Sequence, residues 1–158
     1  HILNEYDIIV SEPLELESQS LYESYAVKHN KKDMDLTREA VSKLYPDYLD
    51  TFDEVMNGSK MYFANMLIAS KEKVNAYSKW LFDILFELEK RTDASKYDSF
   101  HARFYGRISE LLLDVWINKN QIKYEEVKVM NMQKINWWKK GTSFLRAKFT
   151  GKKYEKSF

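Results

Sequence analysis

Hydrophobic and polar positions keep a helical rhythm over most of this chain, interrupted by short apolar runs. Tyr6-Asp7-Ile8-Ile9-Val10 is short, apolar and β-branched, and Pro13 closes it, which predicts a strand. Ser18 to His29 has helical spacing, with Leu21, Tyr25 and Lys28 on one side. Asp33 to Tyr45 predicts a firmer helix: Asp35 is a candidate cap, and Leu36, Ala40, Val41 and Leu44 recur at helical steps. Pro46 breaks it and opens a short helix over 47–56, which Asn57-Gly58 stops. Met61 to Ile68 is apolar apart from Asn65, so a buried strand is expected, with a helical segment as the alternative. Ser70 caps a long helix over 71–91 with the stripe Val74, Tyr77, Leu81, Ile84, Leu85 and Leu88. Trp80, Phe82 and Phe86 widen that stripe and imply burial on more than one side. A second long helix is predicted over 96–119, its core stripe Phe104, Ile108, Leu111, Leu112 and Val115. Residues 121–130 alternate as a strand with one wet face, and 134–149 form an amphipathic segment before a frayed end.

The pattern predicts an α+β chain, helix-rich with about three short strands. Strands separated in this way by helices rarely make a self-sufficient sheet, so they are expected to join strands outside this chain. A length of 158 residues suits one domain with a real core, here 1–130, followed by a basic aromatic tail at 131–158. Charge sharpens that division. The net charge of +1 hides 10 Lys/Arg against 3 Asp/Glu in residues 121–158, and 15 against 21 in residues 1–120. No run of ~18 uncharged apolar residues offers a membrane span. The absence of cysteine excludes disulfides and thiolate metal sites and fits a reducing, cytoplasmic compartment. Neither glycine-rich phosphate-binding motif is present. A start at His1 with no signal-peptide pattern suggests an excised part.

Candidate chemistry gathers in three places. On the second long helix Arg103, Arg107, Glu110 and Asp114 follow at steps of four, three and four, and so share a face. Such a face can present a carboxylate base and two guanidinium groups to a phosphorylated ligand, or be a solvated face with pairs between turns. Asn65 either braces backbone or meets a polar ligand. His1, His29 and His101 are too scattered for a metal-ligand pattern, so no zinc site is expected. Three readings compete for the tail, where Trp137-Trp138-Lys139-Lys140 precede Arg146, Lys148, Lys152 and Lys153. They are a helix packed on the domain, an anionic membrane surface, and nucleic acid, the last being weakest.

Several words of the sequence point further. They are Lys28-His29 with Asp35-Leu36-Thr37-Arg38-Glu39, then Tyr45-Pro46-Asp47-Tyr48 and Phe52-Asp53-Glu54-Val55-Met56-Asn57. Phe63-Ala64-Asn65-Met66-Leu67-Ile68 and Trp80-Leu81-Phe82-Asp83-Ile84-Leu85-Phe86-Glu87-Leu88-Glu89 follow. The strongest is Tyr97-Asp98 with Arg103-Phe104-Tyr105-Gly106-Arg107-Ile108-Ser109-Glu110-Leu111-Leu112-Leu113-Asp114-Val115-Trp116. Together, from about Tyr6 to Phe149, these resemble the bacterial capsular and exopolysaccharide-biosynthesis glycosyltransferases that carry a domain of unknown function. The resemblance implies the C-terminal half of a glycosyltransferase A-like fold, entered at the strand around Tyr6. It implies transfer of a sugar from a nucleotide-sugar to a growing, often lipid-linked, saccharide; the basic aromatic tail would place the chain at the inner face of the membrane. Glu110 and Asp98 would then be the catalytic carboxylates, with His29, Asn65, Arg103, Arg107 and Ser109 binding substrate. Trp137, Trp138, Lys139 and Lys140 would meet the membrane surface. Cofactors stay open, a divalent metal finds no support in this segment, and the isolated chain is expected to be weak or inactive. Leu111, His101 and Asn30 depart from the family pattern. The rival reading is a non-enzymatic helical adaptor for a membrane or a partner protein.

Overall fold

A computed structural model of the protein describes residues 2–16, 19–62, 64–93, 95, 97–98 and 101–130. Two units divide the chain, His1–Lys128 and Val129–Phe158, and every element below lies in the first. The expected tail helix, with Trp137, Trp138, Lys139 and Lys140, lies outside the described residues.

Among the described residues are five α-helices: α1 (Leu21–Lys28), α2 (Lys31–Leu44), α3 (Leu49–Asn57), α4 (Lys71–Arg91) and α5 (Phe104–Lys119). Five short strands accompany them: β1 (Ile8–Ser11), β2 (Pro13–Glu15), β3 (Lys60–Tyr62), β4 (Leu67–Ala69) and β5 (Tyr124–Val127). The α+β, helix-rich class holds, with five strands among the described residues where about three were expected.

Local chemistry sets the helix ends. Ser20 and Glu23 form a reciprocal capping box, which starts α1 at Leu21 and not at Ser18. Asn30 caps α2 by accepting the Lys32 N–H at 3.2 Å, so this helix begins before the expected Asp35. Asp35 instead accepts the Tyr22 hydroxyl at 2.6 Å, tying α1 to α2. Pro46–Tyr48 make a 3-10 turn before α3. In α4 the bounds are those the sequence predicts, with Ser70 accepting the Lys73 N–H. Its burial differs from expectation: Tyr77, Trp80, Leu81, Ile84 and Leu88 are buried, but Phe82 and Phe86 face solvent. The second long helix starts later than predicted, at Phe104. The Asp98 carboxylate accepts the His101 N–H at 2.8 Å, and a 3-10 turn at His101–Arg103 intervenes.

The expected strand over Met61–Ile68 is divided for a physical reason. β1 pairs antiparallel with β4 (Ile8↔Ala69, Val10↔Leu67), and β2 pairs antiparallel with β3 (Pro13↔Tyr62, Glu15↔Lys60). The two ladders belong to separate sheets, and two residues separate their paired positions on one side against four on the other. The surplus is absorbed at Ala64 and Asn65, which take positive φ of 61° and 51°. Two successive left-handed residues cannot continue a strand, and asparagine tolerates that region better than most. β5 adds parallel to β1, with Ile8↔Tyr124 and Ser11↔Val127, giving the order β4-β1-β5.

The core lies where α5 meets α3, α4 and β3. From Leu111 to Ile117 every residue of α5 is buried, including Asp114. The four-residue charged face of this helix is therefore not one solvated stripe. It dips into the protein where β3 packs over it.

Candidate functional site

The N-terminal half of α5 is the place where the predicted residues meet. Three other segments converge on it: the end of α1, the first turn of α2 and the stretch around Tyr97-Asp98. His29 ends α1 as its C-cap, and its N–H bonds the Tyr25 carbonyl. The His29 ring lies 4.9 Å from the Tyr25 ring. Burial, then the charges of Arg107, His101 and Lys28, push the imidazole down to about 4, so it is neutral at physiological pH. His29 and Asp33, which one helix would set side by side, sit instead on two different helices.

Asp33 is 1% exposed. Its Oδ1 accepts the Tyr97 hydroxyl at 2.6 Å, and the Tyr97 oxygen in turn accepts from Asn30 Nδ2 at 3.1 Å. Asp33 Oδ2 and the Tyr25 hydroxyl are buried without a hydrogen-bond partner among the described residues. Burial raises both groups, which favours their protonated forms. Unsatisfied buried polar atoms call for a water or a ligand.

Asp98 holds the turn that leads into α5. Besides the His101 N–H, its two carboxylate oxygens each stand 2.9 Å from His101 Nδ1. Arg103 ends that turn, and Arg107 lies in the first turn of α5, below Glu110. Glu110 is half-buried, and burial raises its carboxyl while Arg107 and Arg103 oppose that shift. The Arg107 charge reaches His29, Tyr25 and Glu110 alike, so it sits at the electrostatic centre of the group.

Asn65 and Ser109 also come together. Asn65 Nδ2 donates to Ser109 Oγ at 2.7 Å, and Asn65 Oδ1 accepts the Tyr77 hydroxyl at 3.0 Å. Ser109 Oγ donates to the Gly106 carbonyl at 2.7 Å. The positive-φ turn thus delivers Asn65 to α5, where it braces the helix next to Glu110. Among the described residues no cluster of His, Asp or Glu is arranged to hold a metal ion.

The burial of two acids, Asp33 and Asp114, was not foreseen from the sequence. Asp33 shares a helical face with the buried Thr37, Ala40 and Val41, and Asp114 is the one acid within the apolar run 111–117. An acid on an otherwise apolar stripe is the signal that could have found both.

A family described as a domain of unknown function, DUF4422, matches residues 1–121. The chain belongs to the DUF4422 family. A solved structure, the bifunctional glycosyltransferase WbbM in its apo form, shares this fold with a TM-score of 0.74 and 27% sequence identity. The match covers 80% of this chain but only 24% of the WbbM chain. No curated protein matches. Most of the candidate residues, from His29 to Glu110, fall within the DUF4422 match. The tail residues Trp137 to Lys140 fall beyond it. No described helix is long and apolar enough to cross a membrane.

Proposed function

We propose that this DUF4422 chain is the acceptor-side part of a glycosyltransferase. The enzyme would move a sugar from a nucleotide-sugar to a growing, often lipid-linked, saccharide in capsular or exopolysaccharide biosynthesis. The observation that carries this reading is a half-buried carboxylate, Glu110, within reach of the charges of Arg107 on the same helix and Arg103 in the turn before it. Likeness to a segment of WbbM supports the reaction class.

The transfer needs a proton taken from the acceptor hydroxyl and charge neutralised on the departing diphosphate. Glu110 takes the proton as the acceptor oxygen bonds to the sugar carbon and the bond to the diphosphate breaks. Burial raises the Glu110 carboxyl toward neutrality, which makes it a stronger base than an exposed glutamate. Arg103 and Arg107 bind the diphosphate oxygens, where guanidinium forks fit well. The neutral His29 ring offers a hydrogen bond without competing charge. Asp98, fixed by His101, is the second acceptor-side carboxylate, and Asn65 and Ser109 line the same turn of α5. Residues 131–158, through Trp137, Trp138, Lys139 and Lys140, would hold the enzyme against the inner membrane face.

Two measurements test this. Titration with a panel of nucleoside diphosphates is expected to give binding that Arg107→Ala weakens by about tenfold or more. In the complete enzyme, Glu110→Gln is expected to lower turnover by roughly 10²–10⁴ while leaving thermal unfolding unchanged. Unaltered sugar transfer by Glu110→Gln removes Glu110 from the chemistry.

A further inference from the structure

Away from Arg103 and Arg107, a cavity of about 390 Å³ opens beside the C-terminal half of α5. Asp114 and Asn118 line it from α5, Glu54 from α3, Lys60 and Tyr62 from β3, and Tyr124 and Glu126 from β5. Its size falls in the ordinary range of small-molecule sites. We infer that this cavity is a binding subsite for an uncharged saccharide unit, seated against Tyr124 and hydrogen-bonded by Asp114, Asn118 and the rim carboxylates.

The lining selects the ligand class. Three glutamates (Glu15, Glu54 and Glu126) against one lysine make the cavity hostile to phosphate. A nucleotide therefore belongs at the arginine end of α5 and not here. A simple cation would use only acceptors, yet the lining also supplies donors: the Asn118 amide, the Ser59 hydroxyl and the Lys60 ammonium. Sugar hydroxyls donate and accept at once and use both kinds. Tyr124 contributes an aromatic ring that is 40% exposed and packed edge-on to Tyr62 at 5.6 Å. Such a half-open ring suits the C–H face of a pyranose.

Asp114 adds a second, independent observation. It is only 5% exposed yet borders the cavity. The Tyr62 N–H occupies one acceptor position on Oδ2 at 3.1 Å, while a carboxyl group carries about four. Its burial raises the carboxyl to about 7, so near neutral pH it can both donate to and accept from a hydroxyl. The Glu126 carboxylate is held in place by the Tyr62 hydroxyl at 3.1 Å. A merely structural Asp114, tying down the β3 backbone, would require none of the surrounding polar groups to face open space.

Only the assignment of this sugar as the acceptor rests on the transferase reading; the binding does not. Saturation-transfer NMR on the 158-residue chain, with methyl glycosides of common hexoses as probes, tests it. Transfer to the pyranose protons is expected, reduced about tenfold in apparent affinity by Tyr124→Ala and by Glu126→Gln. Both substitutions are at exposed positions of β5, so folding is kept, and melting curves verify that. Arg107→Ala should leave the sugar signal intact. No transfer to any glycoside, transfer indifferent to both β5 substitutions, or displacement of the sugar by putrescine overturns the inference. Nucleoside diphosphate binding reports separately on the arginine site, so loss of one reading leaves the other measurable.

Discussion

Asp114 is an acid placed where burial works against its charge. Its carboxyl is raised to about 7 from an unperturbed value near 4, because α5 carries it under β3. The folded state therefore binds this proton more tightly than the unfolded chain does. The resulting stabilisation is complete below about pH 4 and is lost as pH rises toward 7. Asp114→Asn keeps an acceptor for the Tyr62 N–H and removes the cost of ionisation. The variant is expected to gain stability over the parent, by as much as several kcal/mol, between about pH 5 and about pH 8. Parallel melting profiles across that range refute the assignment. Asn65 shows the opposite balance of sequence and structure. Its interruption of an apolar run marks it as special in the sequence. That it braces α5 through Ser109 and Tyr77 follows only from the turn at Ala64-Asn65.

The join between α2 and α4 shows what an element needs besides its own pattern. The Glu87 carboxylate accepts Lys43 Nζ at 2.7 Å and Arg91 Nε at 2.9 Å, and Arg91 also reaches Glu39 at 3.0 Å. These cations hold the Glu87 carboxyl down at about 2. A depressed carboxyl stabilises the fold above its unfolded value of 4.5, and that contribution disappears as pH falls through about 2. Glu87→Gln is expected to lower the melting temperature at neutral pH by a few degrees. The difference should shrink as the buffer approaches pH 2, and a gap independent of pH contradicts the ion-pair account. The start of α4 was legible because the Ser70 cap is a local signal. The exposure of Phe82 and Phe86 was not, since apolar spacing does not say whether a neighbour exists to cover it. The late start of α5 was hidden for a related reason. Its apolar spacing extends upstream, but the Asp98 side chain closes a competing turn.

At the scale of the molecule, the charge asymmetry remains the main lead for the tail. Liposome sedimentation with anionic vesicles is expected to pellet the 158-residue chain and to lose that binding when 131–158 are removed or salt is raised. Equal pelleting of the shortened chain places any membrane contact elsewhere. The sequence by itself determined the helix-rich class, most helix positions, the strand at Ile8–Ser11 and the family words that DUF4422 membership supports. These depend on local propensity, capping and periodicity, which a chain carries in its order. Tertiary structure alone decided that β1 pairs with β4 and β2 with β3, in two separate sheets. It also decided that His29, Arg107 and Glu110 share one electrostatic neighbourhood, and that Asp114 is driven under β3. A residue's burial and its charged neighbours depend on contacts between segments far apart in the chain, and those fix which carboxylates stay charged and which hold a proton.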